Sequence, residues 1–279
     1  MKYDLHLHST ASDGRLSPEQ VVDMAAVKGL EVIALTDHDS VSGVDVAIAR
    51  AAAYPHLQVI PGVEINTDLA SGELHVLGYF IDHHDREFTD SLEKIRESRV
   101  GRAMKMVEKL RNLGLPLDWQ RVQNLAKGES ICRPHIAQAM LEKGYILTER
   151  EAFERYIGRN GPAYVEREKV QPVDAVIMIK KARGIPVLAH PAEIQQLDEL
   201  LIELIAAGLA GLETYYGNYN ADTIQRLEAV AAQYKLITTG GSDYHHFGNG
   251  VEAPMGSVNV PRQSVDNLFR AAGLTYQPS

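Results

Sequence analysis

The chain has 279 residues, 45% of them hydrophobic and 23% charged, which is typical of a globular protein with a sizeable core. Its formal net charge of −9 argues against a broad basic surface for long duplex nucleic acid, because such a surface neutralises many phosphates. A small phosphorylated ligand stays open, since bound metal ions can reverse the local sign of an acidic cleft.

Cysteine usage and the N-terminal residues indicate the compartment. Cys132 is the only cysteine, so no intrachain disulfide can form, as is usual inside cells. Asp4, His6 and His8 stand where a signal peptide would need an apolar run. No window approaches the roughly 18 apolar residues of a membrane span. We therefore expect a cytoplasmic protein that does not bind membranes; the sequence does not indicate its oligomeric state.

The first predicted strand carries two histidines. Alternate side chains of a strand point the same way, so His6 and His8 share one face and Leu5 and Leu7 the other. Two imidazoles at this spacing can bind one cation. Taken alone, such a pair is more often ordinary than metal-binding.

Helical patterns and apolar strands alternate along most of the chain. Ser17 and Pro18 predict the start of a helix that ends at Gly29. This alternation indicates βα units and a parallel sheet, either open and doubly wound or closed into a barrel. The further predicted strands are residues 31–36, 57–61, 74–81, 185–189, 211–215 and 236–239, and the further helices are residues 44–53, 173–183, 197–207 and 221–234.

Residues 98–165 break this rhythm, because they are mostly helical and charged. We expect a small helical insertion that covers one end of a barrel domain formed by residues 1–97 and 166–279. The alternative is a continuation of the barrel with degenerate strands. Arg99 and Arg102 could add positive charge to a pocket, but their acidic neighbours favour a solvated helix face.

Nine potential metal ligands fall mostly at or just after the C-terminal ends of predicted strands. The loops at that end of an α/β barrel or open sheet converge on one site. Any one of these residues could equally be an ordinary hydrogen-bonded polar group, but the coincidence of nine indicates a metal site. They are His6, His8, Asp13, His38, Glu64, His75, His190, Asp243 and His245.

Together these motifs resemble the PHP (polymerase and histidinol phosphatase) family. The resemblance implies an α/β fold, a distorted (β/α)7 TIM-like barrel, with up to three divalent metals at its mouth. It assigns His6, His8, Glu64 and Asp243 to the first metal. It assigns Glu64, His75 and His190 to the second, and Asp13, His38 and His245 to the third. The matching segments are His6-x-His8, residues 36–39, residues 62–64, His75, residues 189–191 and residues 242–245.

Adjacent metals favour a phosphoester substrate, because they can bind phosphate oxygens and lower the pKa of a water. Our hypothesis is in-line attack by a metal-bound hydroxide without a covalent enzyme intermediate. The predicted catalytic residues are His190, His245 and Asp243, and either histidine could be the general acid if the metals do not fully engage it. Asp37 and Asp39 flank His38, and each either orients it or caps a turn.

Mixed histidine and carboxylate ligands suit manganese, iron and zinc. We expect two or three divalent ions, with Mn²⁺ first and Fe²⁺ or Zn²⁺ as alternatives.

Residues 129–137 offer the clue to the substrate. Arg133 has a planar fork suited to phosphate, and His135 lies at a predicted helix start. From residue types alone, an exposed arginine and a capping histidine would be preferred. However, the segment resembles the phosphate-recognition segment of PHP phosphoesterases that hydrolyse nucleoside 3′,5′-bisphosphates. The predicted substrate-binding residues are Arg133, His135, Asp13 and His38, and Tyr215, Tyr216 and Tyr219 either stack on a base or pack.

We therefore predict a hydrolase that removes the 3′-phosphate of nucleoside 3′,5′-bisphosphates, such as adenosine 3′,5′-bisphosphate, to give AMP and phosphate. The alternatives are a 5′-3′ exoribonuclease acting on short RNA, a histidinol-phosphate phosphatase, and a non-enzymatic metal-binding PHP module. The predicted partner is a small phosphorylated nucleotide or a short oligonucleotide.

Overall fold

The computed structural model describes residues 2–69, 72–126, 131–166, 170–248 and 252–277. Residues 129 and 130 of the predicted phosphate-recognition segment lie outside the described residues. In the described part of the chain, seven strands form one sheet in sequence order. They are β1 (Tyr3–Leu7), β2 (Val32–Leu35), β3 (Gln58–Leu69), β4 (Gly72–Tyr79), β5 (Ile185–Leu188), β6 (Gly211–Tyr216) and β7 (Ile237–Gly241).

Helices connect and cover these strands. They are α1 (Pro18–Val27), α2 (Val44–Ala51), α3 (Arg86–Asn112), α4 (Trp119–Ala126), α5 (Arg133–Glu142), α6 (Glu149–Ala152), α7 (Pro172–Lys181), α8 (Leu197–Ala207), α9 (Ala221–Tyr234) and α10 (Arg262–Ala271). The predicted start of α1 is confirmed, because the Ser17 hydroxyl accepts the Gln20 N–H while the Gln20 side chain accepts the Ser17 N–H.

The prediction of a wholly parallel sheet is wrong at β4, which runs antiparallel to both β3 and β5. The other hydrogen-bonded neighbours, β1–β2, β2–β3, β5–β6 and β6–β7, are parallel. Only two residues separate β3 from β4, and a parallel crossover needs about a dozen or more. Because β4 is reversed, its first residues lie at the end of the sheet where the other strands finish. His75 therefore pairs with Asn66 at that end.

The sheet curls until β7 meets β1, which makes a nearly closed barrel and confirms the predicted fold class. The Asp243 N–H donates to the His6 carbonyl at 3.0 Å, and the His8 N–H donates to the Tyr244 carbonyl at 3.1 Å. Gly241 permits this approach, because a Cβ at that position would lie 2.5 Å from the Cβ of His6. The closure places Asp243 beside the two histidines of β1.

The described residues between 98 and 165 contain helices and no strand. The second half of α3 packs with α4 and α5 in a hydrophobic core of their own, around Met106, Val122 and Met140. The first half of α3 instead packs into a core of the barrel through Phe88 and Leu92. The predicted boundary at residue 98 therefore lies inside one continuous helix rather than at a linker.

Candidate metal centre

Glu64 lies at the middle of the cluster at the barrel mouth and is completely buried. Its Oε2 lies 3.2 Å from His6 Nε2 and 3.3 Å from His8 Nε2. Its Oε1 lies 2.8 Å from His75 Nδ1 and 3.2 Å from His190 Nε2. β3 continues past its predicted end at residue 61, so Glu64 lies within a strand. Its backbone pairs with Leu77 of β4 on one side and is hydrogen-bonded to the backbones of Asp37 and Asp39 on the other.

Asp243 approaches the same histidines from the segment just after β7. Its Oδ1 lies 3.2 Å from His6 Nε2 and 3.0 Å from His8 Nε2. Its other oxygen accepts a hydrogen bond from the Tyr216 hydroxyl at 2.8 Å. Asp243 and His190 both have positive φ, at 56° and 29°. Such conformations are uncommon outside glycine and occur at functional sites, where the surrounding structure holds them.

Asp13 occupies the other side of the cluster. Its Oδ1 lies 3.3 Å from His245 Nε2, and its Oδ2 lies 3.8 Å from His38 Nε2. The His245 ring stacks on the His8 ring with centroids 4.0 Å apart. His38 Nδ1 also lies 3.0 Å from Glu64 Oε2, so it joins this side to the centre.

The structure thus brings the nine predicted ligand residues together. Within each of three groups, the potential ligand atoms lie within 4.8 Å of one another. The first group has the membership that the family resemblance implies. The others differ in part, since His8 joins the Asp13 side, and His38 takes the place of the expected His190 beside Glu64 and His75. The groups are His6, His8, Glu64 and Asp243; His8, Asp13, His38 and His245; and His38, Glu64 and His75.

The donor set fits divalent metal ions. Several buried atoms of this cluster have no hydrogen bond of acceptable geometry within the described chain, although buried polar groups are normally satisfied. Most of them lie within 4.0 Å of another atom of this set, as metal ligands require, and nitrogen and carboxylate oxygen donors suit Mn²⁺, Fe²⁺ and Zn²⁺. These atoms are His6 Nε2, His8 Nδ1 and Nε2, Asp13 Oδ1, Glu64 Oε2, His75 Nε2 and Asp243 Oδ1.

The charges of the cluster depend on one another. Burial alone would lower the pKa of His8, but the adjacent carboxylates of Asp243 and Glu64 outweigh it and raise that pKa to about 10. Burial would likewise raise the pKa of Glu64, but the neighbouring imidazoles, His38 and His75 foremost, hold it well below the usual value. These shifts keep Glu64 ionised and His8 protonated, so a metal that binds His8 must displace a proton from its imidazole.

Sequence reasoning missed two buried carboxylates that hold the ligands in place. Glu213 Oε1 lies 2.9 Å from His6 Nδ1, and its Oε2 accepts the His190 N–H at 2.8 Å. Asp4 accepts the N–H and the hydroxyl of Ser242, the residue before Asp243, at 2.9 and 2.6 Å. A signal existed for both: Glu213 lies on a predicted strand like the ligands, and Asp4 alternates with His6 on β1.

Neither aspartate beside His38 acts directly on its ring. Asp37 accepts the N–H and hydroxyl of Ser9 at 2.7 Å each and the Ser12 hydroxyl at 2.6 Å, so it fixes the loop that leads to Asp13. Asp39 accepts the Asn66 N–H at 3.0 Å, and the Asn66 amide in turn lies 2.9 Å from His38 Nδ1.

Arg99 corrects the prediction of a solvated helix face, because it is buried. Its Nη2 lies 2.6 Å from Asp39 Oδ2, and its Nη1 lies 3.2 Å from the Cys132 sulfur. Arg99 lines a cavity of about 160 Å³ together with Arg102 and Arg133. We call this the arginine cavity; its other lining residues include Asp13, His38, His75 and Glu73.

The two predicted substrate residues of α5 differ in position. Arg133 lines the arginine cavity, donates to Glu73 at 2.5 Å, and lies over the Phe153 ring at 5.4 Å. His135 is buried, and its Nδ1 accepts the Cys132 N–H at 3.0 Å, so it caps the start of α5. His135 lines a neighbouring cavity beside Asp13 rather than the arginine cavity.

A histidine and carboxylate cluster of this kind, at the mouth of an α/β barrel, defines a divalent-metal hydrolase site. Residues 4–160 match the PHP domain, and the chain belongs to that family. The family match, together with the relatives and the solved structure described below, shows that the chain is a metal-dependent phosphoesterase, a hydrolase of phosphoester bonds. The predictions of family and enzyme class are thereby confirmed.

Two curated relatives and one solved structure illustrate the similarity. The chain is 34% identical over 248 residues to a 5′-3′ exoribonuclease of Haemophilus influenzae, covering 88% of this chain and 90% of that protein. It is 32% identical over 252 residues to a 3′,5′-nucleoside bisphosphate phosphatase of Chromobacterium violaceum, covering 88% of each. A candidate metal-dependent phosphoesterase of Bifidobacterium adolescentis superposes with a TM-score of 0.88 and 28% identity over 96% of both chains.

Among the described residues, no helix is long and apolar enough to cross a membrane. The cytoplasmic location stays a prediction from the sequence.

Proposed function

We propose that the protein removes the 3′-phosphate of nucleoside 3′,5′-bisphosphates, such as adenosine 3′,5′-bisphosphate, to give AMP and phosphate. The observation that carries this proposal is the arginine cavity beside the metal ligands. Three arginines line it together with His38 and His75 of the metal cluster. A substrate with two phosphate groups can therefore place one at the metal centre and the other at the arginines. The name of the Chromobacterium violaceum relative supports this substrate class.

The proposed cofactors are two or three divalent ions, with Mn²⁺ as the first candidate, held by the nine histidine and carboxylate residues. When bound, such ions bind phosphate oxygens and lower the pKa of a water, so that a nucleophile forms at neutral pH. The predicted catalytic residues His190, His245 and Asp243 all belong to this ligand cluster.

The protein's own side chains orient the substrate. Arg133 would bind the 5′-phosphate, because a planar guanidinium suits bidentate phosphate contact and the Phe153 ring already supports it. The Glu73 carboxylate marks the position that a phosphate oxygen would take opposite Arg133. His135 would act through the start of α5, which it caps. Asp13 and His38 connect this cavity to the metal cluster.

The 3′-oxygen must receive a proton when its bond to phosphorus breaks. Among the six histidines of the cluster, His190 has the most exposed side chain, at 25%. Glu213 holds the backbone of His190 by accepting its N–H. The exposed His190 ring would approach a leaving oxygen from the solvent side. We therefore favour His190 over His245 as the proton donor; in that role His190 is not a metal ligand, the other eight residues hold the ions, and His190 indeed belongs to none of the three groups of ligand atoms.

The second candidate is 5′-3′ exoribonuclease activity on short RNA, which the name of the Haemophilus influenzae relative favours. Histidinol phosphate is a poorer candidate because it has no second phosphate group for the arginine cavity. A non-enzymatic module is disfavoured, since all nine ligand positions are filled by residues able to bind metal.

The test is phosphate or nucleotide release from a substrate panel with Mn²⁺ present. The panel contains adenosine 3′,5′-bisphosphate, 3′-AMP, a 5′-phosphorylated short RNA and histidinol phosphate. We expect the highest kcat/KM for the bisphosphate. Faster turnover of histidinol phosphate than of every nucleotide would overturn the substrate assignment. In ¹⁸O-water the released phosphate should acquire label; its absence would contradict direct attack of water on phosphorus.

A further inference from the structure

A second cavity opens beside His190 of the metal cluster. Its volume of about 540 Å³ lies in the range of small-molecule sites, and it is more than three times the volume of the arginine cavity. We call it the tyrosine cavity. Its lining includes His190, Tyr216, Tyr219, Leu74, Ile194 and Glu73.

The two cavities meet at the metal cluster. His75 lines the arginine cavity and His190 lines the tyrosine cavity, while both rings contact the Glu64 Oε1 atom, at 2.8 and 3.2 Å. Glu73 lines both cavities. A ligand whose phosphate lies at Glu64 could therefore extend into both cavities.

The linings differ in charge and shape. The described lining of the tyrosine cavity contains no lysine or arginine, and it includes the carboxylate of Glu193, which does not line the arginine cavity. It is therefore unsuited to a phosphate group. The His190 and Tyr216 rings have centroids 5.4 Å apart, and the Tyr216 and Tyr219 rings 5.1 Å apart. Aromatic side chains of this kind stack on nucleobases, whichever base is present.

The protein fixes both tyrosines through their hydroxyl groups. Tyr216 donates to Asp243 Oδ2 at 2.8 Å, and the Tyr219 oxygen accepts the Ala192 N–H at 3.0 Å. The ring faces are thus held in place beside the metal ligands before any substrate binds, which lowers the entropic cost of stacking.

Building on the proposed function, we infer that the tyrosine cavity binds the nucleoside on the 3′ side of the scissile phosphate. The enzyme then hydrolyses 5′-phosphorylated oligonucleotides as well as bisphosphates. Water attacks phosphorus, the bond to the 3′-oxygen of the first nucleoside breaks, and that oxygen takes a proton. The phosphoryl group leaves as inorganic phosphate from a bisphosphate, or as the 5′-phosphate of the next nucleotide from an oligonucleotide.

One reaction therefore accounts for both activities named among the relatives. A nucleoside 3′,5′-bisphosphate is the same substrate with nothing attached to the far side of its 3′-phosphate, so it would leave the tyrosine cavity empty. The dinucleotide pApA, which carries the same 5′-phosphate, would fill that cavity and yield two molecules of AMP.

The test compares kcat/KM for pApA with kcat/KM for adenosine 3′,5′-bisphosphate in the Mn²⁺-loaded protein. In the Tyr219→Ala variant, we expect the ratio of the two values to fall about tenfold or more, the size expected for losing one stacking contact. The matched Tyr219→Phe variant keeps the ring and should keep the wild-type ratio. Thermal melting of each variant checks that it is folded.

Each other outcome overturns the inference. A ratio unchanged in a folded Tyr219→Ala protein would show that the cavity does not bind the downstream nucleoside. An equal loss for both substrates would mean that the tyrosine contacts the bisphosphate's own nucleoside. Wild-type protein that hydrolyses neither nucleotide would refute the proposed function itself, which distinguishes that failure from the failure of the cavity assignment.

Discussion

Glu213 and His6 are joined by a buried contact of 2.9 Å between a carboxylate oxygen and the imidazole Nδ1. With its proton on Nδ1, His6 presents a bare Nε2 toward Glu64 and Asp243, which is the form that binds a metal. The other Glu213 oxygen accepts the backbone N–H of His190. One carboxylate thereby orients two ligand residues that lie far apart in the sequence.

Glu213→Gln is expected to weaken Mn²⁺ binding by about 10- to 100-fold, because the amide loses the charge that fixes the His6 tautomer. Isothermal titration of the ion-free protein with Mn²⁺ measures the change. Glu228→Gln is the matched control, since Glu228 accepts the Tyr215 hydroxyl away from the ligand cluster. Equal affinities of the two variants would refute this role of Glu213.

Arg99→Met should destabilise the fold by about 3–5 kcal/mol, because it leaves the buried Asp39 carboxylate without its cation. Urea unfolding of the variant and of the wild type gives the difference in free energy. Arg111→Met, at an exposed position of the same helix, should cost far less. The double variant Asp39→Asn/Arg99→Met should recover part of the loss, and failure to recover any would argue against an unpaired charge as the cause.

Arg133→Met should raise KM for adenosine 3′,5′-bisphosphate by about tenfold or more, the size expected for one charge-assisted contact to phosphate. The KM for 3′-AMP, which lacks the 5′-phosphate, should change little. Steady-state kinetics with both substrates distinguish loss of phosphate binding from a general effect on the site. Arg150→Met removes a charge that is paired with Glu154 at the surface and serves as the control. A similar rise in KM for both substrates would contradict the assignment.

Mn²⁺ binding should release protons and strengthen as pH rises from 6 to 8. Carboxylates raise the pKa of His8 to about 10 in the ion-free protein, so its imidazole is charged in this range. A ligand histidine must be neutral, and binding therefore displaces its proton. Below that pKa, protons and the metal compete for the same imidazole, so a lower pH weakens Mn²⁺ binding and a higher pH strengthens it. Titration in two buffers of different ionisation enthalpy should give different heats; identical heats would rule out proton release.

The clustering of the nine residues was predictable because strand ends leave a local signal. Apolar runs that terminate in histidine or aspartate, as at His190 and Asp243, indicate side chains at the mouth of a parallel barrel. The helix cap at Ser17 is also local, and its hydrogen bonds form as expected.

The reversed strand and the buried arginine could not be predicted in the same way. The apolar run of β4 is compatible with either strand direction, and its short connection to β3 shows only once the end of β3 is known. Arg99 has acidic neighbours on its own helix, and these favoured the prediction of a solvent-exposed face. Its actual partner, Asp39, lies 60 residues earlier in the chain, and helical periodicity contains no information about such a contact.

The course of α3 also limits how the enzyme can be divided. One helix of 27 residues carries side chains of a barrel core near its start and of the insertion core near its end. Removing residues 98–165 would sever that helix between turns and take Arg99 away from Asp39. The insertion is therefore not a detachable module, and swapping it between relatives would require exchanging the whole of α3 together with the residue that pairs with it.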